Sequence, residues 1–165
     1  KAARLIQSYP IQFILIGDGT EKKDLILKAK DLKNVVFNHP VSKKMIPNIL
    51  SKSNAILISL GNVSLFQYGI SPNKLYDTYA LAKPVISTLK GSINKEIEKN
   101  NVGLVCDPQD PEALAKIIKK MYELPEKERY EMGLNGRKLA ESTYSRNRIN
   151  NIYLNLIKNI IENNV

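Results

Sequence analysis

The 165-residue chain holds one cysteine, Cys106, and one histidine, His39. A single cysteine cannot close an internal disulfide, which excludes a stapled secreted scaffold. One His and one Cys also argue against a zinc site of the usual His/Cys kind. No apolar run reaches the roughly 20 residues that a membrane span needs. A signal-peptide pattern is absent as well, but the chain opens on Lys1 rather than Met, so its start says little about targeting. Internal repeats and flexible linkers are missing. So are a Walker A motif, a Ser-His-Asp order, a Cys-His pair and a paired-carboxylate arrangement.

What remains is an ordinary globular composition, 43% apolar and 25% charged, in a length that suits one domain. Lys plus Arg number 25 against 16 Asp plus Glu, a net charge of +9. Such a balance points to an anionic partner: a nucleotide, a nucleic acid or a lipid surface. The lysines are spread, however, at 22, 23, 28, 30, 33, 43 and 44 and again at 116, 119 and 120. No basic cluster interleaved with aromatics appears, nor any zinc-finger or KH-type signature. The favoured reading is a solvated lysine surface, with no nucleic-acid partner.

Along the chain, short apolar runs alternate with helical spacing. Strands are expected at 11–17, 34–38, 54–60, 84–89 and 102–106. Between them, Leu25, Ile26 and Ala29 mark one helix, with Thr20 or Asp18 as its cap. Met45, Ile46, Ile49 and Leu50 mark another, with Ser42 as a cap and a regular part that begins only at Pro47. Ser71-Pro72 and Asp110-Pro111 each pair a capping side chain with proline at the first helical position. Helical patterns also run over 92–99, 125–141 and 145–162; in the last, Ile149, Ile152, Tyr153, Leu156 and Ile160 form an apolar stripe. Alternation of this kind predicts an α/β fold: a Rossmann-like parallel sheet with flanking helices and a helical tail. Its strand-to-helix loops then gather at the carboxyl edge, where open parallel sheets bind ligands.

Several residues at that edge could carry chemistry. Gly17-Asp18-Gly19-Thr20 joins a strand to a helix, and its glycines allow a tight turn and close ligand approach. It lacks the third glycine of the dinucleotide fingerprint, so by itself it reads first as a structural turn and second as a ligand-facing one. Lys74 sits in the first turn after Ser71-Pro72-Asn73, an unfavourable place for a cation facing the helix dipole unless an anion is held there. A diphosphate on the amides of 73–75 would remove the conflict; a plain surface lysine is the alternative. Asp77 shares a face with Lys74 and could accept from ligand hydroxyls or simply pair with a cation. His39, beside Pro40, is either ligand-adjacent or loop filler. Cys106, at a strand end, reads as an inert thiol. Tyr76, Tyr79 and Phe66 could stack on a base, although core packing is commoner for helical aromatics.

Two stretches together carry a family resemblance. FILIGDGTEKKDLILKAKDLKNVVFNHPVSKKMIPNILSKSNAILISL resembles the carboxyl-terminal domain of group 1 retaining glycosyltransferases, and SPNKLYDTYALAKPVISTLKGSINKEIEKNNVGLVCDPQDPEALAKII is similar to that domain's most characteristic segment. The resemblance implies one half of the GT-B architecture, the half that binds a nucleotide-sugar donor. It implies that Gly17, Asp18 and Gly19 lie near the donor nucleotide and that His39 and Pro40 pass near the base. Pro72, Asn73, Lys74 and Leu75 would present helix amides to the diphosphate, with Gly91 also at the donor. Asp77 matches the second acid of the family's Glu–seven residues–Glu pattern, a contact to the nucleotide ribose. The first acid falls on Gly69, so the donor-sugar contact would pass to Asn62, Ser64 or Gln67. Lys74 and Asp77 are the expected catalytic-site residues.

The same resemblance leans towards UDP and an N-acetylated or deoxy sugar, in bacterial surface polysaccharide or lipopolysaccharide synthesis. It implies no metal and no cofactor. It also implies that the domain's first strand and the amino-terminal acceptor domain lie upstream, so this portion alone would turn over poorly. The acceptor would be a saccharide or lipid-linked saccharide. The location would be cytoplasmic, with the full enzyme peripheral at the inner membrane face. Two other functions stay open: half of a GT-B nucleotide-sugar epimerase, and a non-catalytic Rossmann-like binding domain.

Overall fold

The computed structural model describes residues 1–60 and 70–162. Five short strands alternate with helices: α1 (Ala2–Leu5), β1 (Phe13–Ile16), α2 (Lys22–Lys28), β2 (Val35–Asn38), α3 (Ile46–Ser51), β3 (Ile56–Ile58), α4 (Asn73–Ala80), β4 (Val85–Ser87), α5 (Ser92–Lys99), β5 (Gly103–Val105), α6 (Pro111–Glu123), α7 (Glu126–Ser142) and α8 (Arg146–Glu162). All strand pairing is parallel. The expected alternation is present, with each strand shorter than the run that marks it.

The sheet comes in two pieces among the described residues. β1 pairs with β2, and β3-β4-β5 form a separate three-stranded sheet. β4 is the central strand and is buried throughout. Its side chains alternate between two cores. Val85 faces a cluster with Ile58, Leu75, Tyr79, Ile93, Ile97 and Val102, beneath α4 and α5. Ile86 faces Ala2, Ile6, Ala115, Ile118, Met121 and Met132 from α1, α6 and α7. This three-layer arrangement is what a parallel sheet covered on both faces requires. Phe13, at the start of β1, and Ala55, just before β3, both pack on the second cluster. The amino ends of the two sheets therefore meet at one core.

β1 and α2 are less well covered. Ile14 is 54% exposed and Leu27 66% exposed, and the expected core-facing pair Leu25 and Ile26 are also exposed. A two-stranded ribbon offers α2 too narrow a surface to bury its stripe. α8 departs from expectation in the same way. Its apolar stripe exists, but no residue of the helix is buried, and Ile152, Tyr153, Leu156 and Ile160 all face outward.

Helix starts divide by mechanism. Asp110 caps α6 as expected, its Oδ1 accepting from the Ala113 amide at 2.7 Å. Lys43–Met45 forms a 3-10 turn after Ser42, without a side-chain cap, and α3 starts at Ile46 with Pro47 in its first turn. α2 starts after Glu21 without a side-chain cap, so neither Thr20 nor Asp18 serves there. α4 ends in a Schellman arrangement: the Lys83 amide donates to the Thr78 carbonyl and the Ala82 amide to the Tyr79 carbonyl. Ala82 takes the left-handed position, φ +51°, that glycine usually fills.

Candidate functional site

The strand-to-helix turns define the candidate site. After β1 the chain turns at Gly17, whose φ of +141° is open to glycine and strained for other residues. Nothing lies within 4 Å of where a Cβ on Gly17 or Gly19 would stand, so this turn has open space around it. Asp18 and Gly19 are exposed. Ile16 pairs in register with Asn38, and the Gly17 amide reaches the Asn38 carbonyl at 3.4 Å. His39 and Pro40 follow Asn38 and are exposed, so the glycine turn and the His39–Pro40 turn are neighbours.

Lys22, the first residue of α2, joins them. Its ammonium donates to the Gly17 carbonyl at 2.7 Å and to the Asn38 carbonyl at 3.0 Å. Sequence reasoning singled out no special lysine here, because Lys22 reads like its exposed neighbours. Spacing alone offers one signal: it stands five residues after Gly17, at the first position of the following helix.

At α4 the start differs from the expected cap. Pro72 is the N-cap and Asn73 the first helical residue, without a side-chain cap hydrogen bond. The Ser71 hydroxyl lies 3.0 Å from the Tyr76 hydroxyl instead. Asn73 and Lys74 are exposed and, as the first helical residues, have amides without an intrahelical acceptor. Leu75 differs: its amide donates to the Pro72 carbonyl at 2.9 Å and its side chain is buried in the core. It braces the turn. Lys74 and Asp77 are both exposed, and no ion pair joins them. Gly91, φ +82°, caps α5 after β4 and is exposed. Asn62, Ser64, Phe66, Gln67 and Gly69 lie outside the described residues.

Behind α4 lies a tyrosine cluster. Tyr76 stacks at a tilt on Tyr144, with centroids 4.7 Å apart, and meets Tyr79 edge-on at 6.4 Å. Tyr79 and Tyr144 both donate to the Glu96 carboxylate on α5, Tyr79 at 3.1 Å. Burial, reinforced by the Glu96 charge and hydrogen bond, holds both phenols well above the ordinary tyrosine range. Tyr79 is fully buried and cannot stack on a base. Burial also raises the Cys106 thiol, with Asp110 and Asp107 adding to the effect.

Among the described residues no three His, Cys, Asp or Glu side chains gather to hold a metal ion. No described helix is long and apolar enough to cross a membrane. A hollow of about 380 Å³ lies elsewhere, beside Gln7, Tyr9, Asp31 and Asn34 near the start of β1 and β2, away from these turns.

The sequence pattern of the family described as glycosyl transferases group 1 matches residues 1–139. The chain belongs to the group 1 glycosyltransferases. A Pseudomonas aeruginosa protein named "Probable glycosyltransferase WbjE" is 30% identical over 129 residues, covering 74% of this chain and 31% of that protein. Sucrose-phosphate synthase from Thermosynechococcus elongatus superposes with a TM-score of 0.78 at 18% identity, over 97% of this chain and 41% of its own. WaaG, a glycosyltransferase involved in lipopolysaccharide biosynthesis, superposes with a TM-score of 0.68 at 16% identity, over 86% and 38%. The fold is the parallel α/β half of the GT-B glycosyltransferases. This chain thus spans about a third of the curated relative and about two-fifths of each solved structure.

Proposed function

We propose that this group 1 glycosyltransferase chain is the donor-binding part of an enzyme that moves a sugar from a UDP-sugar to an acceptor hydroxyl, with retained anomeric configuration. The observation that carries the reading is the family match over residues 1–139. The site supports it. Amides of Asn73 and Lys74 at the start of α4, with the Lys74 ammonium, would meet the charge of the leaving diphosphate, which is electrostatic stabilisation of a leaving group. Asp77, one turn on and exposed, would accept hydrogen bonds from the ribose hydroxyls. The turns at Gly17–Gly19 and His39–Pro40 would border the nucleoside. No metal takes part in this scheme.

A single further strand fits the topology. Placed between β1 and β3, it would join the two sheets into the order 3-2-1-4-5-6 of doubly wound nucleotide-binding folds. We assign that strand, and the acceptor-binding domain, to polypeptide preceding Lys1. The acceptor would be a saccharide or lipid-linked saccharide of surface polysaccharide or lipopolysaccharide synthesis. The whole enzyme would then be cytoplasmic and peripheral at the inner membrane face.

The test is titration of the full polypeptide with UDP, followed by amide NMR. Selective shifts at 17–19, 39–40 and 73–77 are expected, and Asp77→Ala should weaken UDP about tenfold, the loss of about 1.4 kcal/mol that one hydrogen bond to a charged group commonly supplies. Flat titrations at millimolar UDP would overturn the reading. Release of an epimerised sugar nucleotide without acceptor would replace transfer by epimerisation.

A further inference from the structure

We propose that Lys22 is a positioning residue of the donor site: its ammonium ties the glycine turn to the His39–Pro40 turn and thereby shapes the surface that receives the nucleoside end of the donor. The inference rests on the donor-binding reading above.

The geometry is specific. One ammonium bridges the carbonyl of Gly17, just past β1, and the carbonyl of Asn38, the last residue of β2. Lys22 is half-buried, whereas Lys23, Lys28, Lys30, Lys33, Lys43 and Lys44 are all exposed. It stands at the first position of α2, where a cation faces the positive end of the helix dipole. No carboxylate forms an ion pair with it among the described residues. What holds it there is the pair of main-chain oxygens, which engage two of its three donors.

Besides the bridge, the turns are held by main-chain bonds, the Gly17 amide to the Asn38 carbonyl at 3.4 Å and the Lys22 amide to the Gly19 carbonyl at 3.0 Å. Gly17 and Gly19 bring no side chains, and the space around them is open. Loss of the bridge would leave the two turns tied only by the longer Gly17–Asn38 main-chain bond, loosening them without disturbing α4. The effect should therefore fall on the nucleoside and spare the diphosphate. A lysine acting as a direct phosphate ligand would show the opposite pattern.

The experiment compares UDP, uridine and inorganic pyrophosphate as ligands of the full polypeptide, in wild type, Lys22→Met and Lys22→Arg. In Lys22→Met, UDP and uridine should weaken about tenfold while pyrophosphate stays within twofold. Lys22→Arg, which keeps a cationic donor within reach of both carbonyls, should recover most of the loss. If Lys22→Met does not fold, Lys22→Gln takes its place, with the same selectivity expected at a smaller amplitude. Unchanged uridine binding in a folded variant overturns the inference and leaves the donor-binding reading standing. Equal loss of uridine and pyrophosphate, or of pyrophosphate alone, also overturns it. Wild-type protein that binds neither UDP nor uridine overturns both.

Discussion

Substitution of Gly133 by alanine tests the packing that seats α4. A Cβ on Gly133 would lie 2.0 Å from the Ala82 carbonyl oxygen and 2.6 Å from its carbon. Those atoms belong to the turn that ends α4, and a main-chain turn cannot swing aside as a side chain can. α7 must therefore lift away from α4. Gly136, one turn further along α7, is the internal control. Its Cβ would meet the Val102 Cγ1 at 3.0 Å and the Tyr79 Cδ1 at 3.1 Å, both side-chain atoms. Each substitution gains about 1 kcal/mol of helix propensity, because glycine is a poor helix residue. Against that, overpacking commonly costs about 1–3 kcal/mol, and a direct main-chain overlap belongs at or above the upper end. Gly133→Ala should lose about 2 kcal/mol net, and Gly136→Ala between about 0 and 1 kcal/mol. For a chain of this size that is a Tm drop of about 4–8 °C for Gly133→Ala. Thermal unfolding of both variants beside wild type makes the measurement. A Gly133→Ala protein as stable as wild type, or a larger loss at Gly136 than at Gly133, would refute the reasoning.

Two further outcomes follow from the same region. The phenols of Tyr79 and Tyr144 stay protonated in the folded chain above the pH at which they ionise when unfolded, about 10. Their contribution is thus complete below pH 10 and is lost as pH rises further, because only the unfolded chain releases those protons. Urea unfolding between pH 8 and pH 11 should show that decline, and the double variant Tyr79→Phe/Tyr144→Phe should flatten it. At Ala82, φ +51°, glycine removes the left-handed penalty of about 1 kcal/mol. Ala82→Gly should raise Tm by about 2–4 °C in the same thermal assay; a fall would show that the turn draws on the methyl group.

Local chemistry was legible in the sequence where it was sufficient by itself. The apolar runs mark all five strands, because a parallel sheet covered by helices buries both faces. Asp110-Pro111 reads correctly since a cap needs only its own first turn. Ser71-Pro72 misleads because Tyr76, five residues on in the helix it opens, engages the serine hydroxyl. Lys22 escapes notice for a related reason. Its two acceptors are main-chain oxygens, one of them sixteen residues away, and main-chain acceptors leave no mark in residue type. Gly133 and Gly136 look like weak points in a helix until the helix they touch is known. The division of the sheet was invisible in strand content, which says nothing of which neighbours a strand lacks; only the family resemblance, with its strand expected upstream, bore on it.

The elbow at Tyr144 sets the direction in which α8 leaves the domain. Tyr144 stands between α7 and α8, hooked to Glu96 by its hydroxyl and stacked on Tyr76 by its ring. Beyond it extends an arm of 17 residues. At 1.5 Å per residue that arm is about 25 Å long, so a tilt of only about 10° at the pivot sweeps its far tip through about 4 Å. The pivot also bears, through Tyr76, on Ser71. One ring thus ties the foot of α8 to α5 through Glu96 and, through Tyr76, to the residue that precedes α4.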